Sequence, residues 1–191
     1  MLILASASPR RRALLEQIGL TFTAETADID ETPQVGEDPA AYVKRLAEHK
    51  AAAVFARHAS QQDRSRLIVL GADTTVVIDN QILGKPEGEA DAARMLRLLS
   101  GRTHRVMTGV GLITATAPPL VAAEITEVDF SPLTDREIAG YIATGEPIGK
   151  AGAYGIQGRA AKFIPRINGC YFNVMGLPLA RLTAMLAELP R

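Results

Sequence analysis

LIVLGADTTVVIDNQILGKP, residues 67 to 86, is the stretch from which the rest of the chain is best read. An apolar run from Leu67 to Leu70 ends in Gly71-Ala72, presents one carboxylate at Asp73, and resumes as the β-branched run Thr74 to Ile78. Asp79-Asn80 is a turn signal, and Lys85 follows in Gly84-Lys85-Pro86. Short apolar and β-branched runs of this kind predict buried strand. A carboxylate inside such a pattern is costly unless it is paired or binds a cation. Asp73 therefore has two readings: a strand-end aspartate that caps a loop, or an acid held in place for chemistry.

Working outward, strands and helices alternate, which is the α/β signature. Leu2 to Ala5 predicts a short buried strand, and Ser8-Pro9 opens a helix that carries Leu14, Leu15 and Ile18 on one face until Gly19. Thr21 to Thr26 predicts a second strand. After an acidic loop, Asp38-Pro39 starts a long helix with Tyr42, Val43, Leu46, Ala53 and Val54 inward, reaching about His58. A polar connector, residues 61 to 66, leads into the central strands. Ala90 to Leu99 predicts an amphipathic helix that ends at Ser100-Gly101. Two long strands follow, Thr103 to Thr116 and Leu120 to Phe130, joined at Pro118-Pro119. Thr134-Asp135-Arg136-Glu137 is a capping box for a helix through Ile142, and a last helix runs from about Leu179 to Leu189. No repeat, low-complexity tract or long linker divides the chain, so residues 1–191 read as one domain.

Composition narrows the function classes. With 191 residues, 47% of them apolar, the chain can bury a full core. Lysine plus arginine and aspartate plus glutamate both number 21, which argues against a nucleic-acid or anionic-membrane binder. Cys170 is the only cysteine, so no intrachain disulfide forms, a reducing cytoplasmic setting is expected, and the thiol reads as buried and inert. Met1 to Ala5 is too short for a signal h-region, and no run reaches the roughly 18 apolar residues of a membrane span.

Four places could carry chemistry besides Asp73. Ser6-Ala7-Ser8-Pro9-Arg10-Arg11 joins a strand to a helix N-terminus, where backbone N–H groups and the helix dipole favour an anion. Arginines in a first helical turn oppose the dipole. Arg10 and Arg11 therefore suggest a bound polyanion or else a solvated basic face, and Arg12 is read as solvated. The acidic loop Asp28-Ile29-Asp30-Glu31 reads either as solvated or as a place where carboxylates hold Mg²⁺ with substrate phosphates. Lys50, on the long helix, reads by default as a surface salt-bridge partner. Gln157 sits among Gly152, Gly155 and Gly158, where a backbone can approach a ligand and an amide can read a base edge; a plain glycine-rich loop fits equally well. Gly145 to Ala151 imitates a phosphate-binding loop but has three residues before Gly-Lys instead of four, and lacks the Ser or Thr. His49, His58 and His104 are isolated, which argues against a zinc site, and His104 reads as structural.

Taken together, SASPRRR, DIDE, RLAEHKA, GADTTVV, LGKP, LSGRTH, GEP with KAGAYGIQG, and GCYFNVMGLPL resemble, in order and over nearly the whole chain, the Maf family of nucleotide pyrophosphatases. The resemblance implies a two-lobed α/β fold with a mixed twisted sheet and a deep central cleft, akin to inosine triphosphate pyrophosphatases. It implies hydrolysis of a nucleoside triphosphate to monophosphate and pyrophosphate with a divalent metal, Mg²⁺ foremost and Mn²⁺ or Co²⁺ as alternatives. Asp73 matches the catalytic acid, and Ser8, Arg10, Arg11, Glu31, Lys50, Lys85 and Gln157 match the other cleft positions. Glu31 and Asp73 are the expected metal ligands, with Asp73 as base, ligand or both. Arg10, Thr74 and Gln157 agree with the branch that acts on dTTP and UTP rather than on 7-methyl-GTP. Gly149 departs from the family's usual Asp before Lys150. Rival readings are a nucleotide-binding regulator of cell division that does not cleave, and a house-cleaning enzyme for modified pyrimidine triphosphates. No nucleic-acid or membrane partner is expected, and a homodimer is left open.

Overall fold

The computed structural model describes residues 1–58 and 66–190; the polar connector falls almost wholly outside them. Strands β1 (Leu2–Ala5), β2 (Thr23–Glu25), β3 (Ile68–Ile78), β4 (Gln81–Leu83), β5 (Thr103–Thr114), β6 (Leu120–Asp129) and β7 (Arg166–Asn168) form one sheet. Its order is β2-β1-β3-β5-β6-β7, with β4 paired to β3. The sheet is mixed: β1 runs parallel to β2 and β3, whereas β3–β4 and β6–β7 are antiparallel. The helices are α1 (Pro9–Gln17), α2 (Pro39–Arg57), α3 (Glu89–Leu99), α4 (Asp135–Ile142), α5 (Tyr171–Met175) and α6 (Leu179–Glu188). The chain divides into two compact units, and β3, β5 and β6 each contribute to both.

The first unit comprises Met1–Asp73, Thr108–Glu124 and Gly176–Arg191. Its core is built around α2, whose buried residues Val43, Leu46, Ala47, Lys50, Ala51 and Val54 recur at helical spacing. Asp38 caps α2 by accepting from the Ala40 and Ala41 N–H groups at 3.0 Å. The backbone of α2 lies directly on the sheet because glycine faces it. A Cβ at Gly71 of β3 would stand 2.0 Å from the Ala47 carbonyl oxygen, and one at Gly109 of β5 2.0 Å from that of Val43. Neither position admits a side chain with the helix where it is.

The second unit comprises Thr74–Met107 and Ile125–Met175. Asp79 and Asn80 both take positive φ, 51° and 61°, and so turn β3 into β4 as a two-residue hairpin. Val76, Ile78 and Leu83 pack with Leu96, Leu99, Val128, Phe130, Ile138, Tyr141 and Phe163. His104, Phe130 and Tyr154 meet edge to face, and His104 Nε2 bonds the Tyr154 hydroxyl at 2.8 Å. His104 is structural, as expected. Burial pushes its pKa down to about 4, with Asp129 opposing, so it is neutral at pH 7.

Several expectations are corrected. β3 runs unbroken through Asp73, so the acid sits within a strand and not at its end, and Gly71 makes room for the helix above it. Ile18 is 39% exposed and Ala53 half-buried. Cys170 is half-buried and not buried. Strands β4 and β7 and helix α5 are short elements that the periodicity of the sequence did not reveal, since three to five residues are too few to show a period.

Candidate active site

β3, α1, α2 and the acidic loop bring most of the expected residues of the first unit into one charged cluster. Strand alternation places Gly71 and Asp73 on the same face of β3, toward α2. Ala47 rests on Gly71, and Lys50 lies three residues further along the helix, on the face above Asp73. Lys50 Nζ donates to Asp73 Oδ1 at 2.7 Å and pairs with Glu31 Oε1 at the same distance. The two carboxylate oxygens are therefore no further apart than twice that length. Lys50 and Asp73 are each only 8% exposed, while the Glu31 side chain is 45% exposed. Lys50 is thus a buried cation between two carboxylates, which corrects its reading as a surface salt-bridge partner. The signal was in the sequence: position 50 falls in phase with the apolar stripe Val43, Leu46-Ala47, Val54.

The loop that carries Glu31 is fastened to α2 by Tyr42 and Arg45. The Tyr42 hydroxyl donates to the Glu31 carbonyl at 3.0 Å, and Arg45 donates to the Thr32 carbonyl at 3.2 Å and to both Glu37 oxygens at 2.6 and 2.7 Å. Arg45 holds the Glu37 carboxyl down to about 2. Burial, then the charges of Asp73 and Glu31, push the Tyr42 hydroxyl up to about 12, so it remains a donor.

The strand-to-helix turn at Ser6 is more closed than expected. Ser6 Oγ accepts from the Ser8 N–H at 3.2 Å and from Arg11 Nη1 at 3.0 Å, and Ser8 Oγ caps α1 by accepting from the Arg11 N–H at 3.4 Å. The Arg12 N–H goes to the Ser8 carbonyl. The Ser8, Arg11 and Arg12 amides are thus satisfied internally, and the guanidinium charges remain as an attraction for an anion. Arg11 also donates from Nε to the Gly176 carbonyl at 2.8 Å. Burial lowers its pKa, partly offset by Asp73, with Arg10 lowering it further. Arg10 is half-buried and Arg12 exposed. Thr74, half-buried, follows Asp73 on the opposite face of β3.

Lys85 and Gln157 belong to the second unit, and both are exposed. The Gly152 N–H donates to the Gly84 carbonyl at 3.0 Å, which ties the Lys85 turn to the loop that carries Gln157. The glycines of that loop answer at least to internal packing. A Cβ at Gly152 would meet Val76 at 2.7 Å, at Gly155 the Lys150 stem at 3.1 Å, and at Gly158 Glu146 Oε1 at 2.0 Å. Gly149 has φ 75° with open space at its Cβ position, so the departure there suits a left-handed conformation.

Among the described residues no group of three or more His, Cys, Asp or Glu could hold a metal by itself. Glu31 and Asp73 supply a two-carboxylate donor set, which fits a hard cation that takes its remaining ligands from phosphate oxygens and water. Among the described residues, no helix is long and apolar enough to cross a membrane.

The chain is 53% identical over 188 residues to a dTTP/UTP pyrophosphatase of Pelotomaculum thermopropionicum, covering 98% of this chain and 95% of that protein. It is 51% identical over 193 residues to one from Ralstonia nicotianae, covering 98% and 93%. Among solved structures it is similar to a HAM1 protein from Coxiella burnetii, with TM-score 0.53 and 18% identity over 98% of each chain. It is also similar to a nucleoside-triphosphatase / dITP/XTP pyrophosphatase from Mycobacterium abscessus, with TM-score 0.51 and 18% identity over 100% and 98%. At that identity the likeness speaks for the fold, and it bears out the expected α/β, inosine-triphosphatase-like class. The family model described as Maf-like protein matches residues 1–189, and the chain belongs to that family.

Proposed function

We propose that this protein hydrolyses dTTP and UTP to the monophosphate and pyrophosphate. The observation that carries the reading is the Glu31–Lys50–Asp73 cluster, with Lys50 and Asp73 buried, in a chain about half identical over nearly its full length to relatives named for that activity. Pyrophosphatases of this family are generally dependent on a divalent metal. Glu31 and Asp73 are the residues that would hold it, with Mg²⁺ the cation their oxygens suit best. When bound, the metal supplies neutralisation of phosphate charge.

In this proposal Asp73 orients a water against the α-phosphorus and takes its proton. The new P–O bond forms as the α–β bridging bond breaks and pyrophosphate leaves with that electron pair. Lys50 fixes Asp73 through Oδ1, and Arg10, Arg11 and Lys85 offset charge on the departing group; Ser8 holds the arginine turn in shape. Positioning and electrostatics suffice for such transfer, so no covalent nucleophile is required. Gln157, with Arg10 and Thr74, selects the base: its amide both donates and accepts, as a pyrimidine edge requires. The single cysteine supports a reducing, cytoplasmic setting.

The test is a pyrophosphate-release assay over dTTP, UTP, 7-methyl-GTP and modified pyrimidine triphosphates with Mg²⁺, Mn²⁺ or Co²⁺. Equal release of monophosphate and pyrophosphate, fastest from dTTP and UTP, is expected. Diphosphate with inorganic phosphate would place attack at the γ-phosphorus and defeat the mechanism. Binding without cleavage of any nucleotide would favour a regulator.

A further inference from the structure

Gln157 stands at the middle of a turn whose two shoulders hang from one pair of side chains. Two residues before it, the Gly155 N–H donates to the Tyr141 hydroxyl oxygen at 3.3 Å. Two residues after it, the Arg159 N–H donates to Glu146 Oε2 at 3.0 Å. The Tyr141 hydroxyl in turn donates to Glu146 Oε1 at 2.9 Å, which closes the frame. Glu146 also lies against the turn itself, since a Cβ on Gly158 would stand 2.0 Å from Oε1. Lys150 Nζ donates to the Glu146 carbonyl, and the Lys150 stem packs under Gly155. Tyr141 is 3% exposed and packs edge to face on Phe163, so the frame is anchored in the core of its unit.

The carboxylate is matched to this duty. Burial pushes the Glu146 pKa up, but the Arg159 N–H and the Tyr141 hydroxyl outweigh it and hold the group below its usual range. An ionised carboxylate offers acceptors on both oxygens, and here the Tyr141 hydroxyl uses Oε1, the Arg159 N–H uses Oε2 and the Ala160 N–H adds a further backbone bond. A glutamine would place its amide NH₂ against one of these donors and leave that donor unpaired.

We infer that Glu146, working with Tyr141, is a positioning residue for Gln157: it fixes the Gly155–Arg159 turn so that the Gln157 amide meets the base in one orientation. The inference rests on the reading of Gln157 as the base-selecting side chain. Nothing in it requires Glu146 to touch the substrate.

The experiment measures kcat and KM for dTTP and 7-methyl-GTP on wild type, Gln157→Ala, Glu146→Gln, Tyr141→Phe and the double variant Gln157→Ala/Glu146→Gln. Circular dichroism and Tm confirm folding. The expected result is a selective wild type, with Glu146→Gln losing roughly tenfold in the dTTP to 7-methyl-GTP ratio. The loss should fall mainly on KM for dTTP, and Glu146→Gln should add little in the Gln157→Ala background. Tyr141→Phe, which keeps the ring packing, should show the same direction and serves if Glu146→Gln does not fold. A selective wild type whose ratio falls in Gln157→Ala but not in Glu146→Gln or Tyr141→Phe overturns the inference alone. Equal losses on both nucleotides would overturn it too, by showing a merely structural role. A wild type without preference overturns the reading of function, and this inference with it.

Discussion

Substituting Gly71 by alanine tests the central argument that a glycine in β3 brings Lys50 to Asp73. The new Cβ would stand 2.0 Å from the Ala47 carbonyl oxygen and 2.8 Å from the Ala51 N, where ordinary contact begins at 3.4 Å. Both are backbone atoms of a helix, so neither can rotate aside, and the strand and α2 must part by about 1.4 Å, the difference between 3.4 and 2.0 Å. Overpacking of this kind costs about 1–3 kcal/mol, and the rigid neighbours place it near the upper end. In a chain of this size about 3 kcal/mol lowers Tm by roughly 6 to 12 °C. The same parting draws on a 2.7 Å bond between Lys50 and Asp73. Misplacement on this scale costs on the order of 100-fold in turnover. Gly140→Ala is the control: it lies inside α4 with nothing within 4 Å of its Cβ position. It should stabilise by about 0.5–1 kcal/mol. Thermal unfolding and kcat on both variants decide the matter. A Gly71→Ala protein with wild-type Tm and turnover would refute the close approach and the explanation of the cluster built on it.

Asp73→Asn keeps the size of the side chain and leaves Lys50 its Glu31 partner, so turnover should fall about 100-fold or more with the fold retained; near-normal turnover in the folded variant would rule out the proposed role. His104 has its pKa lowered to about 4 in the fold, so between that value and about 6.5 the unfolded chain binds more protons. Stability is therefore full above pH 6.5 and is lost as pH falls toward 4, by about 3 kcal/mol from this residue. Urea unfolding at pH 7 and 5 should show the loss, and His104→Gln should flatten it. Gly149→Asp restores the family's usual residue in open space but at φ 75°. It should cost at most about 1 kcal/mol and leave turnover within about twofold; a large loss would mean that the glycine itself is required.

Local signals carried much of this protein. Ser8-Pro9, Asp38-Pro39 and the Thr134–Glu137 box placed helix starts to within a residue, because capping is chemistry between near neighbours. Asp79-Asn80 announced the turn, because positive φ there is a property of those residues themselves. The charge balance and the run of family motifs named the class of activity, and Asp73 stood out as one acid in an apolar strand.

What the sequence did not decide was which groups satisfy one another. Lys50 lies 23 residues from Asp73, and only the seating of α2 on Gly71 and Gly109 makes them a pair. The Ser6 turn looked open to an anion, and the fold showed its Ser8 and Arg11 amides already bonded to the two serine hydroxyls. The glycines around Gln157 are packed at their Cβ positions by Val76, Lys150 and Glu146, contacts that no local pattern shows. Sequence by itself determined the longer elements, the family and the inventory of charged groups, since periodicity, capping and turn preference act over a few residues. Tertiary structure alone decided which charges are buried together and which glycines are obligatory, because those follow from distances between segments far apart in the chain.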